Sequence, residues 1–233
     1  MDKQRRHELW QAVTMKAAAG SDWPHAVCDV ARDVTASDAA ITVRADSRIQ
    51  DLLAASAPWV ASLEEIQYTL GEGPGVEAFA TGGPVLVHDL ARYGDRWPLF
   101  TDAARSAGVA SLFAFPLHVG AIFLGTLDLY RRDTGYLSPA DLGVLTILAD
   151  LATTVVLRHF APGQGVHGDA VDLQGGSYED VHIATGMLAA QLHIGLADAS
   201  ARLRAHAFGS GRSLLAVSRD VLAERIPLDQ WVD

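Results

Sequence analysis

The sequence predicts an α+β fold: an antiparallel sheet flanked by helices over residues 1–160, then a bundle of three short helices over 178–233. Three observations predict it. Ser111–Val119 and Ile122–Arg131 are two long strand-like runs joined near Gly120-Ala121, the pattern of an antiparallel hairpin. Apolar residues at helical spacing stand before and after that hairpin. A Pro-Gly-Gln-Gly-Val-His-Gly run at 162–168, with Gly175-Gly176 soon after, breaks the chain and places a linker at 161–177.

Element by element, residues 2–19 read as a first helix closed by Gly20. Ser21-Asp22 before Pro24 starts a second helix running to about Val34. Its residues Val27, Val30, Ala31 and Val34 keep helical spacing. Residues 39–44 read as a strand with Ile41 and Val43 on one face, and 49–54 as its hairpin partner across an Asp46-Ser47 turn. Residues 59–66 read as a short helix. Gly71-Glu-Gly-Pro-Gly75 reads as a tight loop that needs glycine backbone angles. A helix at 76–80 stops at Gly82-Gly83, Val85–Val87 is a strand, and a helix at 96–107 ends at Gly108. Ser138 as cap, Pro139 at the first position and Asp141 in the first turn open a long helix to about Phe160. Its apolar stretch 144–157 contains Asp150, falls short of a bilayer span and is expected as a buried core helix.

Beyond the linker, Ser177-Tyr-Glu-Asp180 has the form of a capping box. Val181, Ala184, Leu188 and Leu192 lie along one helix face, and Gly195 is expected just past its end. Residues 197–208 make a second helix burying Ala199, Leu203 and Ala207. Gly209-Ser-Gly211 turns the chain, and Ser213 caps a third helix burying Leu214, Val217 and Val221. Helices this short hold only by packing on one another.

Composition limits the function classes. The 233 residues are 49% hydrophobic, enough for real cores, with a net charge of −10. Residues 1–160 carry 13 Lys/Arg against 19 Asp/Glu, and 161–233 carry 5 against 9. Strong generic nucleic-acid binding needs cations to neutralise phosphates, so the acidic balance argues against it while leaving room for a local basic face. The single cysteine, Cys28, permits neither an intrachain disulfide nor a cysteine zinc site, and is expected as a buried structural thiol. The nine histidines show no His-x3-His pair beside a carboxylate. The glycine loop lacks a Gly-Lys-Ser/Thr ending, and no nucleophile elbow occurs. No enzyme, metal or cofactor is expected. Residues 1–10 lack the apolar run of a secretory signal, so a cytoplasmic protein without membrane contact is expected.

Several pieces of the first domain resemble GAF domains of actinobacterial regulators. They are Leu70-Gly-Glu-Gly-Pro74, Thr81-Gly-Gly-Pro-Val-Leu-Val-His-Asp-Leu90, Arg96-Trp-Pro98, Ala107-Gly-Val109, Phe115-Pro-Leu117 and Leu124-Gly-Thr-Leu-Asp-Leu-Tyr130. The resemblance covers about residues 20–160. It implies a sensory module with a cavity between sheet and helices, dimerising through terminal helices. On that resemblance Asp89, Trp97, Phe100 and Asp128 line a cavity for an unknown small-molecule or protein signal. The plainer reading makes them core aromatics, a helix cap or a surface carboxylate. The pocket cysteines of a GAF-type sulfoxide reductase, the attachment cysteine of a bilin-binding GAF and a cyclic-nucleotide signature are all missing.

In the last third, Ala184, Gly186, Met187, Leu188, Ala199, Leu203, Arg204, Ala207 and Leu214 resemble the ANTAR family of RNA-binding antiterminator domains. Two positions depart from it: the usual Lys is Thr185 and the usual aromatic is Ser200. The resemblance implies a homodimeric transcription antitermination regulator that binds paired hairpins in nascent RNA. Arg204, Arg202, Arg212 and Arg219, with Thr185 and Gly186, are then the RNA-binding candidates, since the arginine fork suits phosphate. The rival is a ligand-binding or protein-interaction module whose tail no longer binds RNA.

Overall fold

The computed structural model describes residues 2–44, 50–160, 179–227 and 231. Its elements in chain order are α1 (Asp2–Ala18), α2 (Trp23–Thr35), β1 (Asp38–Arg44), β2 (Gln50–Ala55), α3 (Pro58–Leu70), α4 (Pro74–Thr81) and β3 (Val85–Val87). There follow α5 (Pro98–Ser106), β4 (Ser111–Val119), β5 (Ile122–Arg131), α6 (Pro139–His159), α7 (Glu179–Leu192), α8 (Leu196–Gly209) and α9 (Leu214–Leu222). Local chemistry sets many of these limits. Asp22 caps α2 by accepting from the His25 N–H, and Ser138 with Asp141 forms a reciprocal capping box at the start of α6.

The five strands form one antiparallel sheet in the order β2-β1-β5-β4-β3. β5 is its spine, pairing β1 along one edge and β4 along the other. Period-two alternation along β5 divides the interior. Leu127 and Leu129 join an apolar core built with α1, α2 and α6. Tyr130 joins a second core built with α3, α4 and α5. The sheet is therefore covered on both faces. Cys28 lies wholly buried in the first core.

The structure moves several expected boundaries. α3 runs four residues past its expected end, to Leu70, where Gly71 in the left-handed region closes it. α4 begins inside the glycine loop at Pro74. A single 3-10 turn, Leu90–Tyr93, precedes α5, which starts at Pro98 rather than at 96. α6 has 21 residues and is long and apolar enough to cross a membrane, a correction to the shorter apolar stretch expected. Half of its most apolar window is buried, and it packs on α2 and β4. The Asp46-Ser47 turn, the linker at 161–177 and the Ser177 capping box lie outside the described residues.

α7, α8 and α9 pack pairwise as a bundle. Val181, Ala184, Leu188, Ala199, Leu203, Ala207, Leu214, Val217 and Val221 are buried, as the periodicity predicts. Ser213 caps α9 by accepting from the Ala216 N–H. Gly195 is not the terminator of α7: His193 takes the left-handed position, with φ 55°, and Gly195 becomes the N-cap of α8. The Ile194 N–H then closes on the Ala189 carbonyl. The bundle core is continuous with the α3 side of the sheet core, and α8 rests on α3.

Leu188→Ala removes a fully buried side chain from the centre of the bundle. It is expected to destabilise the chain by about 2–5 kcal/mol, read by denaturant unfolding, with amide exchange accelerated first in α7–α9.

Candidate functional site: a buried carboxyl pair beneath the glycine loop

Two carboxyl groups lie under α3 with no solvent exposure at all, Glu64 of α3 and Asp128 of β5. The Gln67 amide stands between them, its Nε2 3.4 Å from Glu64 Oε2 and 3.3 Å from Asp128 Oδ2. Burial pushes Glu64 well above the ordinary glutamate range, and the neighbouring Asp128 charge adds to the rise. Burial also raises Asp128, opposed by the bond from Glu64 and by the Arg44 charge. Two neighbouring carboxylates in a low-dielectric interior repel, which disfavours both being charged at once.

The surrounding groups serve the pair. The Tyr130 hydroxyl donates to Glu64 Oε1 at 2.6 Å, and burial with the two carboxyls raises its own pKa well above normal. Gln67 Nε2 lies 2.9 Å from the Tyr130 hydroxyl and 3.3 Å from Asp128 Oδ2. Gln50 Nε2 reaches Glu64 Oε2 at 3.4 Å, and the buried Arg44 supplies positive charge. Thr42 and Thr126 bond across β1 and β5 at 2.9 Å in the same polar seam.

The glycine loop closes over these groups. Gln67 Oε1 accepts from the Gly75 N–H at 2.9 Å. A Cβ at Gly75 would stand 2.2 Å from Asp128 Oδ2, and one at Gly73, where φ is 137°, would stand 2.4 Å from Gln67 Oε1. The loop needs glycine for backbone angle at 73 and for close approach at 75. Glu72 turns outward and accepts from the Phe100 N–H at 2.9 Å, an anion at the start of α5.

The four expected cavity residues separate. Asp128 is in the pair. Trp97 and Phe100 are buried in the same core, with Trp97 stacked on Tyr93 at 5.7 Å. Asp89 caps the Leu90–Tyr93 turn through the Ala91 N–H and faces Arg92 at 3.7 Å, away from the pair. Glu64, Gln67, Gln50, Arg44 and Tyr130 were not singled out by sequence. The available signal was polar: Glu64 stands at a helical step from Val60, an inward position.

A family model described as GAF domain matches residues 25–156, more than half of the chain. The chain belongs to the GAF family. The GAF domain of an Acinetobacter phosphoenolpyruvate-protein phosphotransferase is 14% identical, with a TM-score of 0.51 over 68% of this chain and 94% of that one. That likeness shows the fold. A domain of a putative two-component sensor histidine kinase protein from Sinorhizobium meliloti gives 15% and 0.48 over 58% and 88%. A free methionine-R-sulfoxide reductase from Neisseria meningitidis, solved with its substrate, gives 19% and 0.45 over 66% and 89%. No curated protein matches. In this GAF domain the buried pair occupies the space between the sheet and α3, and no group of three or more metal-ligating side chains occurs among the described residues.

The bundle arginines each meet a protein group. Arg204 lies over the Tyr68 ring at 5.5 Å. Arg202 donates to the Trp231 carbonyl. Arg212 and Arg225 grip Asp220 at 2.5 and 3.0 Å, and their hydrogen bonds hold its carboxyl below the usual range. Arg219 meets Asp180 at 3.0 Å. Arg225 was not among the expected residues. Thr185 turns its hydroxyl to the Val181 carbonyl, and Gly186 is half-buried with open space beside it.

Because Glu64 binds its proton more tightly when folded, its contribution to native stability is fully present below about pH 4.5 and is lost as pH rises towards the raised value. Glu64→Gln is expected to flatten this fall, which for one proton is about 1.4 kcal/mol per pH unit, in denaturant unfolding series carried upward from about pH 5. Gly75→Ala is expected to destabilise the domain by about 1–3 kcal/mol through the clash with Asp128, read in the same assay.

Proposed function

We propose that the chain is a cytoplasmic, homodimeric, signal-responsive regulator of transcription antitermination. Its GAF domain is the input. The α7–α9 bundle, which resembles ANTAR domains, is an output that binds paired hairpins in nascent RNA. No catalytic step belongs to this reading. The observation that carries it is the register of the bundle: Ala184, Leu188, Ala199, Leu203, Ala207 and Leu214, all matched positions, are buried together in one core. That core leaves Arg212, Arg219 and Arg225 on the outside, with side chains 42%, 59% and 71% exposed. Exposed ion pairs of this kind contribute only about 0–1 kcal/mol, so exchanging Asp220 or Asp180 for a phosphate is cheap. A dimer would offer two bundles to two linked hairpins, and avidity would offset the small number of cations.

A second reading is favoured by a specific observation. Arg212, Arg219 and Arg225 already meet Asp220 and Asp180, Arg204 lies over Tyr68 and Arg202 donates to the Trp231 carbonyl, as in a bundle used for protein contacts alone. Fluorescence anisotropy with a paired-hairpin RNA separates the two. The RNA reading expects affinity to fall on the order of 10²-fold between about 50 and 200 mM salt if four arginines meet phosphates, and Arg219→Ala to reduce both affinity and salt slope. Absence of binding at micromolar protein and low salt would leave the interaction module.

A further inference from the structure

α3 has two working faces. Glu64 and Gln67 point inward to Asp128 and Tyr130 of β5. Glu65 and Tyr68, each one residue further on, point to the bundle. The bundle meets this outer face through complementary helix ends. The Arg204 guanidinium lies over Tyr68, and a Cβ at Gly71, the C-cap of α3, would stand 3.6 Å from its Nη1. A cation thus sits where α3 presents its negative end. In the opposite sense, Glu65 Oε1 accepts at 3.4 Å from the Leu215 N–H, placing an anion at the positive end of α9. Leu215, Met187 and Ile66 belong to the one apolar cluster that runs through this junction.

The docking has a consequence for output. A guanidinium held between an aromatic ring and a helix terminus does not also lie on a phosphate. We propose that the arrangement with α8 on α3 is the RNA-excluding state of the chain, and that RNA binding requires the bundle to leave α3 and expose Arg204. This rests on the RNA-binding reading of Arg204 given above. The helix that covers Arg204 also carries one member of the buried carboxyl pair. A signal that rearranges the interior pair therefore acts on the same rigid element that holds the bundle, and shifts the population between docked and undocked forms.

The test uses the full chain and two charge-neutral variants, so that no added cation strengthens RNA binding by itself. Tyr68→Leu removes the ring under Arg204, and Leu215→Ser weakens the apolar junction at α9. Amide exchange of α8 reads docking, and anisotropy with a paired-hairpin RNA reads output. If the docked form is about nine-tenths populated, undocking raises apparent affinity roughly tenfold. Both variants are expected to speed exchange in α8, leave β4 and β5 unchanged and bind RNA about tenfold more tightly, with the gain lost in Tyr68→Leu/Arg204→Ala. Faster α8 exchange with RNA affinity equal to that of the unsubstituted chain would overturn the inference while leaving the RNA reading intact. Failure of every form to bind RNA, despite faster α8 exchange, would overturn the RNA reading and the inference with it.

Discussion

Two fully buried carboxyl groups, Glu64 and Asp128, set the geometry of this molecule. Burial raises the pKa of both, and the Asp128 charge raises Glu64 further, so charging both at once is costly. The Tyr130 hydroxyl, the Gln67 amide and the nearby Arg44 charge together make the pair tolerable. Each of those groups comes from a different stretch of chain, so the pair fixes α3 against β5 and β1. The loop above it follows suit: glycine at 73 and 75 is the condition for closing the backbone over groups that leave no space for a side chain.

A helix fixed from inside becomes a platform on its outside. The inner contacts of α3 determine where Glu65 and Tyr68 stand, and these determine where α8 and α9 rest. Charge complementarity between helix ends orients the contact, and the continuous apolar cluster supplies most of its hold. The fold therefore joins a polar interior to a second helical unit through one element, without a long chain of intermediates. The same economy explains why the acidic balance of the last third does not settle its role. What matters is which arginines face outward and how weakly their carboxylates hold them.

Much of this was legible in the sequence where short-range rules decide. β4 and β5 were legible to the residue, because two long runs of strand-favouring residues flank a turn at Gly120. The caps at Asp22, Ser138 and Ser213 were legible because capping is local chemistry. Asp128 was reached through a family resemblance, and Trp97 and Phe100 are in the same core. Glu64 and Gln67 were not reached, because a polar residue on an amphipathic helix looks solvent-facing until its tertiary partner is known. Gly195 misled for a related reason: His193 tolerates the left-handed position and leaves the glycine to start the next helix. Arg212 and Arg219 stand on the outside of the bundle, whereas Arg204 lies against α3. Nothing in the spacing of Arg204 foretells Tyr68, which lies more than a hundred residues away in sequence.

Coupling of the buried pair to the bundle through α3 is tested by site-resolved amide exchange of α7–α9 in the full chain and in Asp128→Asn, a change made entirely inside the sheet core. The account predicts altered protection in α8 and α9 alongside the change around α3. Altered exchange in β5 and α3 with α8 and α9 left as they were would contradict it.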